Sequence, residues 1–360
     1  MKRTTAALSI FAALCAASSA ASAQSNVTIY GLVDVALVRE SGGAVAGGTK
    51  ITSGVGAGSR LGFRGTEDLG NGLSALFLLE NGFQADTGAM GQGGLLFGRQ
   101  AYVGLQSSRF GMLTLGRQYT PQYLAVAAID PFGSGYAGDT KNLITATGNG
   151  TSRMDNTAKY ISPTVSGVVG ELVYAPGEVA NDSKAGRQFG GGLTWRGGPA
   201  MLRLGYHNRN NDTATVKTNS NARNLVAGGT YDIGTNRIHL AYVVNKGLNS
   251  ALPRNAANPY GYATAPVPSL DSRDLLLGVT LPFGPHSVLA SYIDKNDRTR
   301  FDQDAHQLAL GYKYAVSKRT ELYAVYAKIS NQRGAGYTVG SAIEGGTGNR
   351  ALDLGIKHAF

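Results

Sequence analysis

Beyond its first 23 residues, the chain of 360 residues has neither a cysteine nor a long apolar run. Its single cysteine is Cys15, so the remainder holds no disulfide and no cysteine metal site. No later stretch approaches the roughly 18 apolar residues that a membrane helix needs. If this chain spans a membrane, it must do so as a closed β-barrel, because only helices and barrels satisfy every backbone hydrogen bond in lipid.

The N-terminal segment has the layout of a secretory signal peptide. Lys2 and Arg3 precede an apolar stretch, and the small residues Ala21-Ser22-Ala23 follow it. This order of basic, apolar and small residues is typical of a segment that is removed on export. We therefore expect residues 1–23 to be a signal peptide and residues 24–360 to form the mature chain.

Prolines and apolar residues are sparse, whereas glycine and tyrosine are abundant. The chain has 11 prolines, 42% hydrophobic residues, 51 glycines and 18 tyrosines. A helical membrane protein would be more apolar, but a barrel needs only its outer face apolar, and its strands are joined by tight turns. The composition therefore favours a membrane barrel.

The charge balance is basic. The net charge is +10, and removal of Lys2 and Arg3 leaves +8, with 31 basic against 23 acidic residues. These basic residues are scattered singly along the predicted strands, whereas nucleic-acid binding proteins gather them in a basic helix or tail. We therefore expect no nucleic-acid partner, and the placement favours a charged lumen.

Short turn clusters alternate along the chain with long polar connections, and the segments between them have a period of two. In the first segment Thr28, Tyr30 and Asp34 share one face, and the last segment alternates up to an apolar Phe360. Short connections at one end and long ones at the other are typical of an outer-membrane barrel. The sequence predicts an all-β fold, a transmembrane barrel of sixteen antiparallel strands with both chain ends on the short-turn side. Approximate predicted strands are 26–38, 59–67, 73–84, 97–106, 112–119, 155–162, 168–176, 187–196, 200–209, 222–232, 237–245, 272–282, 287–294, 304–314, 320–329 and 349–360.

Two predicted elements depart from this plain pattern. The fifteenth strand has apolar residues on both faces, which a subunit interface would explain. The third long connection, from about residue 120 to 152, is the longest and contains Asp130-Pro131-Phe132-Gly133 and Gly135-Tyr136. Structureless connections of that length are uncommon unless functional. We expect this one to fold inward and narrow the lumen.

Catalytic and cofactor motifs are missing from the sequence. A barrel lipase or protease needs a histidine paired with a nucleophile or an acid, and no such motif accompanies the five histidines. There is no phosphate-binding loop, nucleophile elbow or histidine pair at metal spacing. We expect no enzyme activity, no metal and no cofactor. An adhesin, or the transport domain of a secreted passenger, stays open as an alternative, although the barrel accounts for the whole mature chain.

Several motifs together resemble one known family. They are Val27-Thr28-Ile29-Tyr30-Gly31, the stretch from Ser59 to Gly70, the stretch from Arg99 to Leu105, Leu115-Gly116-Arg117-Gln118-Tyr119, Asn156-Thr157-Ala158-Lys159-Tyr160, Ser317-Lys318-Arg319-Thr320 and the terminal Phe360. With them the mature chain resembles the trimeric general porins of Gram-negative bacteria, of the type common in beta-proteobacteria. The resemblance implies a homotrimer in the outer membrane whose barrels pass ions and small hydrophilic solutes by passive diffusion through a water-filled channel.

The resemblance also implies a constriction between the third loop and a row of basic residues on the wall. By motif position this row contains Arg60, Arg99 and Arg153, and the inward phase of the strands adds Arg64 and Lys159. Arg117 is a further candidate, Asp130 is the expected loop acid and Glu80 an inward neighbour. A Lys or Arg facing lipid at mid-depth costs about 2–4 kcal/mol, which independently favours the lumen for such a set. The basic excess predicts a moderate preference for inorganic anions.

Overall fold

The computed structural model describes residues 26–144, 152–250 and 257–360. The predicted signal peptide, residues 1–23, lies outside the described residues. Within them the chain forms one sheet of 17 strands, one α-helix, α1 (Pro121–Ile129), and a short 3-10 helix (Thr140–Asn142). The strands are β1 (Asn26–Ser41), β2 (Thr49–Ser53), β3 (Arg60–Gly70), β4 (Leu73–Gly82), β5 (Gln100–Ser107), β6 (Gly111–Tyr119), β7 (Arg153–Ile161), β8 (Val168–Ala175), β9 (Gln188–Gly197), β10 (Ala200–Asn210), β11 (Asn221–Ile233), β12 (Asn236–Lys246), β13 (Asp271–Phe283), β14 (His286–Asp297), β15 (Ala305–Ala315), β16 (Thr320–Asn331) and β17 (Arg350–Ala359).

The sheet closes into an antiparallel barrel because β1 pairs with β17 on one side and with both β2 and β3 on the other. Along β1, β2 pairs with the segment from Val35 to Arg39, and β3 pairs with the segment from Asn26 to Leu32. Thus β2 and β3 together occupy one strand position of the barrel, which we call a stave, and this stave is interrupted at residues 54–59. The described residues therefore form sixteen staves, and the predicted sixteen-stranded barrel is confirmed.

Short and long connections separate to opposite ends of the barrel. All seven predicted short turns fall between paired strands, at residues 71–72, 108–110, 162–167, 198–199, 234–235, 284–285 and 316–319. The other end carries the long connections, among them the third (residues 120–152) and the last (residues 332–349). The layout agrees with that of an outer-membrane barrel.

Each stave turns apolar side chains outward. On β17, Leu352 and Leu354 are exposed on the outer face, whereas Asp353 between them is only 1% exposed. On β16, Leu322 and Tyr326 point outward, and the apolar residues of the opposite phase, Val325, Ala327 and Ile329, are fully buried in a core that includes residues of the long connections. Interior packing therefore explains why this strand is apolar on both faces.

A proline lies at the start of the helix α1, and a second proline follows shortly after its end. Pro121 occupies its first turn, where the missing N–H costs nothing. Pro131 disfavours a helical conformation at the residue before it, and Asp130 is accordingly extended. In the described ranges, no helix has the length and hydropathy required to cross a membrane.

The main apolar core lies inside the barrel, between the third long connection and the wall. It joins Val126 and Ile129 of α1 to Phe132, Tyr136 and inward residues of the later strands. The wall makes room with glycines. A Cβ on Gly205 of β10 would lie 2.7 Å from the Pro121 carbonyl oxygen, and a Cβ on Gly311 of β15 would lie 2.8 Å from Cε1 of Phe132. The connection therefore lies against the inner face of these strands.

Candidate functional site

Two arginines converge on the phenol of Tyr119, the last residue of β6. Nη2 of Arg99 and Nη2 of Arg153 each donate to Tyr119 Oη, both at 2.9 Å. The Arg153 guanidinium also lies 4.6 Å from the Tyr119 ring centroid, within cation–π range. Tyr123 of α1 stacks on the same ring with centroids 5.0 Å apart, and burial, followed by the neighbouring Tyr119, raises the pKa of Tyr123 to about 12. Tyr123 is therefore neutral and contributes no negative charge to the site.

One carboxylate, Glu80 on β4, sits beside these arginines. It is 3% exposed and accepts hydrogen bonds from Arg99 Nε at 2.8 Å and from Tyr30 Oη at 2.9 Å. Arg60, at the start of β3, lies within electrostatic reach of both Arg99 and Glu80. Its Nε is buried and has no hydrogen-bond partner among the described residues. Glu80 therefore lies beside Arg60 and Arg99, and we name Arg60, Arg99, Arg153, Glu80 and Tyr119 the basic cluster.

Strand pairing places Arg60 and Arg64 on the inner wall. Tyr30 pairs with Gly62 and Gly62 pairs with Glu80, so the alternate residues Arg60 and Arg64 share their inward phase. Arg64 is exposed and its guanidinium lies 5.3 Å from the Tyr30 ring centroid. Arg64 therefore stands next to the basic cluster, on the side toward the short turns.

Arg99 reaches the cluster from just outside a strand. The fourth strand was predicted to begin at residue 97, but β5 begins at Gln100. The Arg99 N–H still donates to the Glu80 carbonyl oxygen at 3.2 Å. Because Arg99 precedes the regular alternation, its side chain can turn to Glu80 and Tyr119.

Lys159 lies on the inner wall but belongs to another ion pair. It is buried on β7, pairs with Thr114 across β6, and its Nζ lies 2.7 Å from the carboxylate of Glu171 on β8. Its charge is therefore compensated locally, and it does not join the basic cluster.

Arg117 occupies an irregular point between β6 and β7, where the register shifts between Gly116 and Gln118. Its Nε donates to the Gly98 carbonyl oxygen at 2.8 Å, and its Nη1 forms an ion pair with Asp155. The structure thus gives Arg117 its own carboxylate partner, outside the basic cluster.

Asp130 is placed differently from the expectation of a loop acid facing the basic row. It is 5% exposed and accepts backbone N–H groups from Phe132 at 3.0 Å, Ser134 at 2.9 Å and Thr140 at 3.3 Å. Burial, followed by the nearby Asp139, raises the pKa of Asp130 to about 6. Asp130 therefore organises the turn after α1, because its oxygens are used by the loop backbone.

A second polar group, absent from the predicted site, holds the tip of the third long connection against β16 and β17. Tyr136 Oη donates to Glu321 at 2.8 Å, and Lys357 Nζ donates to both Tyr136 Oη and Glu321 at 3.0 Å. The Ala137 N–H donates to Asp353 at 2.6 Å. We name these five residues the latch.

The interruption between β2 and β3 completes this anchorage. The Tyr136 N–H donates to the Val55 carbonyl oxygen at 2.7 Å, and the Ala342 N–H of the last long connection donates to the same oxygen at 3.2 Å. The backbones of Gly135 and Gly56 touch, since a Cβ on Gly135 would lie 1.9 Å from the Gly56 carbonyl oxygen. The loop tip is therefore fixed by the wall, by the broken stave and by another long connection.

The third long connection follows most of the inner wall between these two groups. Its helix α1 contacts β8 to β12, Pro131 reaches Gly278 on β13, and Phe132 reaches Gly311 on β15. Its tip ends at the latch on β16 and β17. The basic cluster stands on β3 to β7, and α1 reaches it through Tyr123, which stacks on Tyr119.

Sequence patterns gave partial signals for the residues that were missed. Alternation placed Asp353 and Lys357 on one face of the last strand, but it does not reveal which loop residue they bind. Tyr119 was part of a family motif, yet its role as the common partner of two arginines depends on the end of β6. No group of three or more metal-ligating side chains occurs in the described part of the chain.

Comparisons with known proteins agree with this architecture. A model of the family described as Gram-negative porin matches residues 9–334. An outer membrane porin of Bordetella pertussis is 30% identical over 100% of both chains. Outer membrane porin protein 32 of Delftia acidovorans is 30% identical, over 97% of this chain and 98% of its own. Among solved structures, an anion-selective porin from Comamonas acidovorans is 26% identical with a TM-score of 0.75, and the match covers 94% of this chain and 100% of that chain.

Proposed function

Since this chain belongs to the Gram-negative porin family, we propose that its channel prefers anions and that Arg60, Arg99 and Arg153 set this preference. As a porin it is an outer-membrane protein whose water-filled barrel passes ions and small hydrophilic solutes by passive diffusion. The observation that carries the proposal is the basic cluster, in which Arg60, Arg99 and Arg153 lie together on the inner wall with one carboxylate, Glu80. The anion-selective relative from Comamonas acidovorans supports it.

The physical basis of the preference is electrostatic. At about 8 Å, a unit charge acts on a passing ion with roughly 0.5 kcal/mol at the dielectric constant of water and about 2 kcal/mol at an effective value of 20. The arginines of the basic cluster therefore bias the ion concentration in the lumen without excluding cations. Arg64 and Lys159 lie on the same inner wall, but Lys159 contributes less because Glu171 compensates its charge.

The proposal is tested by the zero-current potential of the refolded protein in a planar bilayer that separates two potassium chloride concentrations. A potential of the sign set by chloride supports it. A potential of the sign set by potassium overturns the anion preference. Absence of conducting steps from a folded barrel would contradict an open diffusion channel.

We also propose that the mature chain begins after residue 23, that it assembles as a homotrimer and that it has no catalytic activity or cofactor. Family membership supports the trimer, and the exposed apolar outer face of the staves, seen at Leu202 and Leu308, supports contact with lipid. Native gel mobility before and after boiling tests the trimer. A heat-sensitive species of about three times the monomer mass is expected, and monomer mobility without heating would contradict it.

A further inference from the structure

β10 carries two further inward arginines, one on each side of the seat of α1. Leu202 and Leu204 are exposed on the outer face, so the alternate residues Arg203, Gly205 and Arg209 point inward. The helix α1 lies on Gly205. Arg203 therefore lies between α1 and the short turn that precedes β10, and Arg209 lies between α1 and the long connection that follows β10.

Both guanidiniums are incompletely paired. Arg203 Nη1 donates to the Leu124 carbonyl oxygen of α1 at 2.7 Å, but its Nε is buried without a hydrogen-bond partner among the described residues. The Nε of Arg209 is likewise buried without a hydrogen-bond partner among the described residues. The carboxylate within electrostatic reach of Arg209 is Asp155.

Asp155 cannot neutralise Arg209 fully, because it already forms an ion pair with Arg117. Two guanidiniums therefore share one carboxylate on the long-loop side of α1. On the other side, Glu171 lies within reach of Arg203, yet it is bound to Lys159 at 2.7 Å. Each side of the helix thus retains excess positive charge on the inner wall.

We propose that Arg209 and Arg203 are specificity-determining positions that attract small inorganic anions on the two sides of α1. The proposal rests on the anion preference of the channel but concerns residues outside the basic cluster. Its physical consequence is directional. A positive charge at one entrance raises the local anion concentration there, so its removal changes the current asymmetrically with the sign of the voltage.

The test is a charge series at residue 209, with Arg209→Lys, Arg209→Gln and Arg209→Glu, in channels inserted from one side of the bilayer. In 0.1 M salt, where the Debye length is about 10 Å, each unit of charge removed should lower the anion-to-cation permeability ratio by up to about twofold and increase the current asymmetry. In 1 M salt the effect should largely vanish. Arg223→Glu is the control, because Arg223 is exposed and belongs to the outward phase of β11.

Variants at residue 203 test the other side of α1. Arg203→Glu should shift the current asymmetry in the direction opposite to Arg209→Glu, because the two residues lie on opposite sides of α1. Since Arg203 also binds the helix, Arg203→Lys keeps the charge and should restore the asymmetry of the natural chain even if the bond to Leu124 is weakened.

A permeability ratio and asymmetry that follow the charge at 209, with Arg209→Lys equal to the natural chain, would support the proposal. Equal values for Arg209→Lys, Arg209→Gln and Arg209→Glu would overturn it, as would shifts of the same sign at 203 and 209. The natural chain's own zero-current potential separates this failure from that of the proposed function, because a potential of the sign set by chloride keeps the anion preference even when the variants at 203 and 209 have no effect.

Discussion

Two regions of the inner wall carry positive charge under very different conditions. The basic cluster on β3 to β7 contains three arginines and one carboxylate, Glu80, and its other acceptor is the phenol of Tyr119. On β15 and β17, in contrast, two cations are covered by the loop tip. Lys357 binds Glu321 and Tyr136, and Lys313 lies 4.3 Å from the Tyr136 ring centroid.

The difference shows that the number of inward cations does not determine what a wall does. Side chains of the latch are hydrogen-bonded to a loop and to each other, so their charges stabilise the fold and are partly hidden from the lumen. The arginines of the basic cluster share one carboxylate, so their field extends into the water of the channel. The latch holds the loop, and the basic cluster acts on the ions.

The largest expected effect concerns the loop acid that the sequence had assigned to the lumen. Burial raises the pKa of Asp130 from 3.8 to about 6, so the folded loop binds a proton more tightly than the unfolded chain. The stabilisation that this bound proton gives the folded chain is complete below about pH 4 and is lost as the pH rises to about 6. The free energy of unfolding changes by about 3 kcal/mol over this range. Asp130→Asn should flatten this part of the pH dependence, measured as the unfolding temperature between pH 4 and 7 in detergent.

The control for Asp130 is Asp232→Asn, which alters an exposed turn acid paired with Arg237. Other carboxylates titrate in both proteins, so only the difference in slope is informative. An identical slope between pH 4 and 6 in the natural chain and in Asp130→Asn would contradict the assignment.

The next effect concerns the contact between the loop tip and the interrupted stave. In Gly135→Ala the new Cβ would lie 1.9 Å from the Gly56 carbonyl oxygen, so the tip must move away from the broken stave. Overpacking of this kind costs about 2 kcal/mol. We expect a lower unfolding temperature and noisier single-channel current with the anion preference kept. Gly48→Ala, where a Cβ meets nothing within 4 Å, is the matched control, and equal behaviour of both variants would show that the tip is not held there.

A smaller effect concerns the latch phenol. Tyr136→Phe removes a hydrogen bond to Glu321 and one from Lys357, which should cost about 1 kcal/mol of stability because Lys357 and Glu321 still pair. The unfolding temperature should fall slightly and the zero-current potential should stay unchanged. A changed potential would mean that the latch also acts on the permeating ions.

The smallest effect sharpens the basic side. Glu80→Gln removes the only carboxylate of the basic cluster, so the field of the arginines should increase, and at about 8 Å this corresponds to roughly 0.5 kcal/mol for a monovalent ion. The anion-to-cation permeability ratio should about double in dilute salt. A lower ratio would show that Glu80 acts chiefly by holding Arg99 in place.

Strands and turns were predictable because alternation and turn residues act locally. All seven short turns and the closing of the barrel agree with the sequence, whereas β2 was missed because Gly54 to Ser59 interrupt its stave. Inward phase correctly grouped Arg60 with Arg64. Periodicity could not show that Asp130 turns to the loop backbone, or that Arg117 pairs with Asp155 at a register shift, because these contacts depend on irregular geometry.

The most direct test of the account removes two positive charges from the basic cluster or from the region covered by the loop tip. The zero-current potentials of the two variants are then compared in a potassium chloride gradient. Arg60→Gln with Arg153→Gln should reduce the anion preference severalfold. Lys313→Gln with Lys357→Gln should leave its sign unchanged and its size nearly so, although the latch is weakened. Equal losses in the two double variants would contradict the claim that the basic cluster, and not the total inward charge, selects the ions.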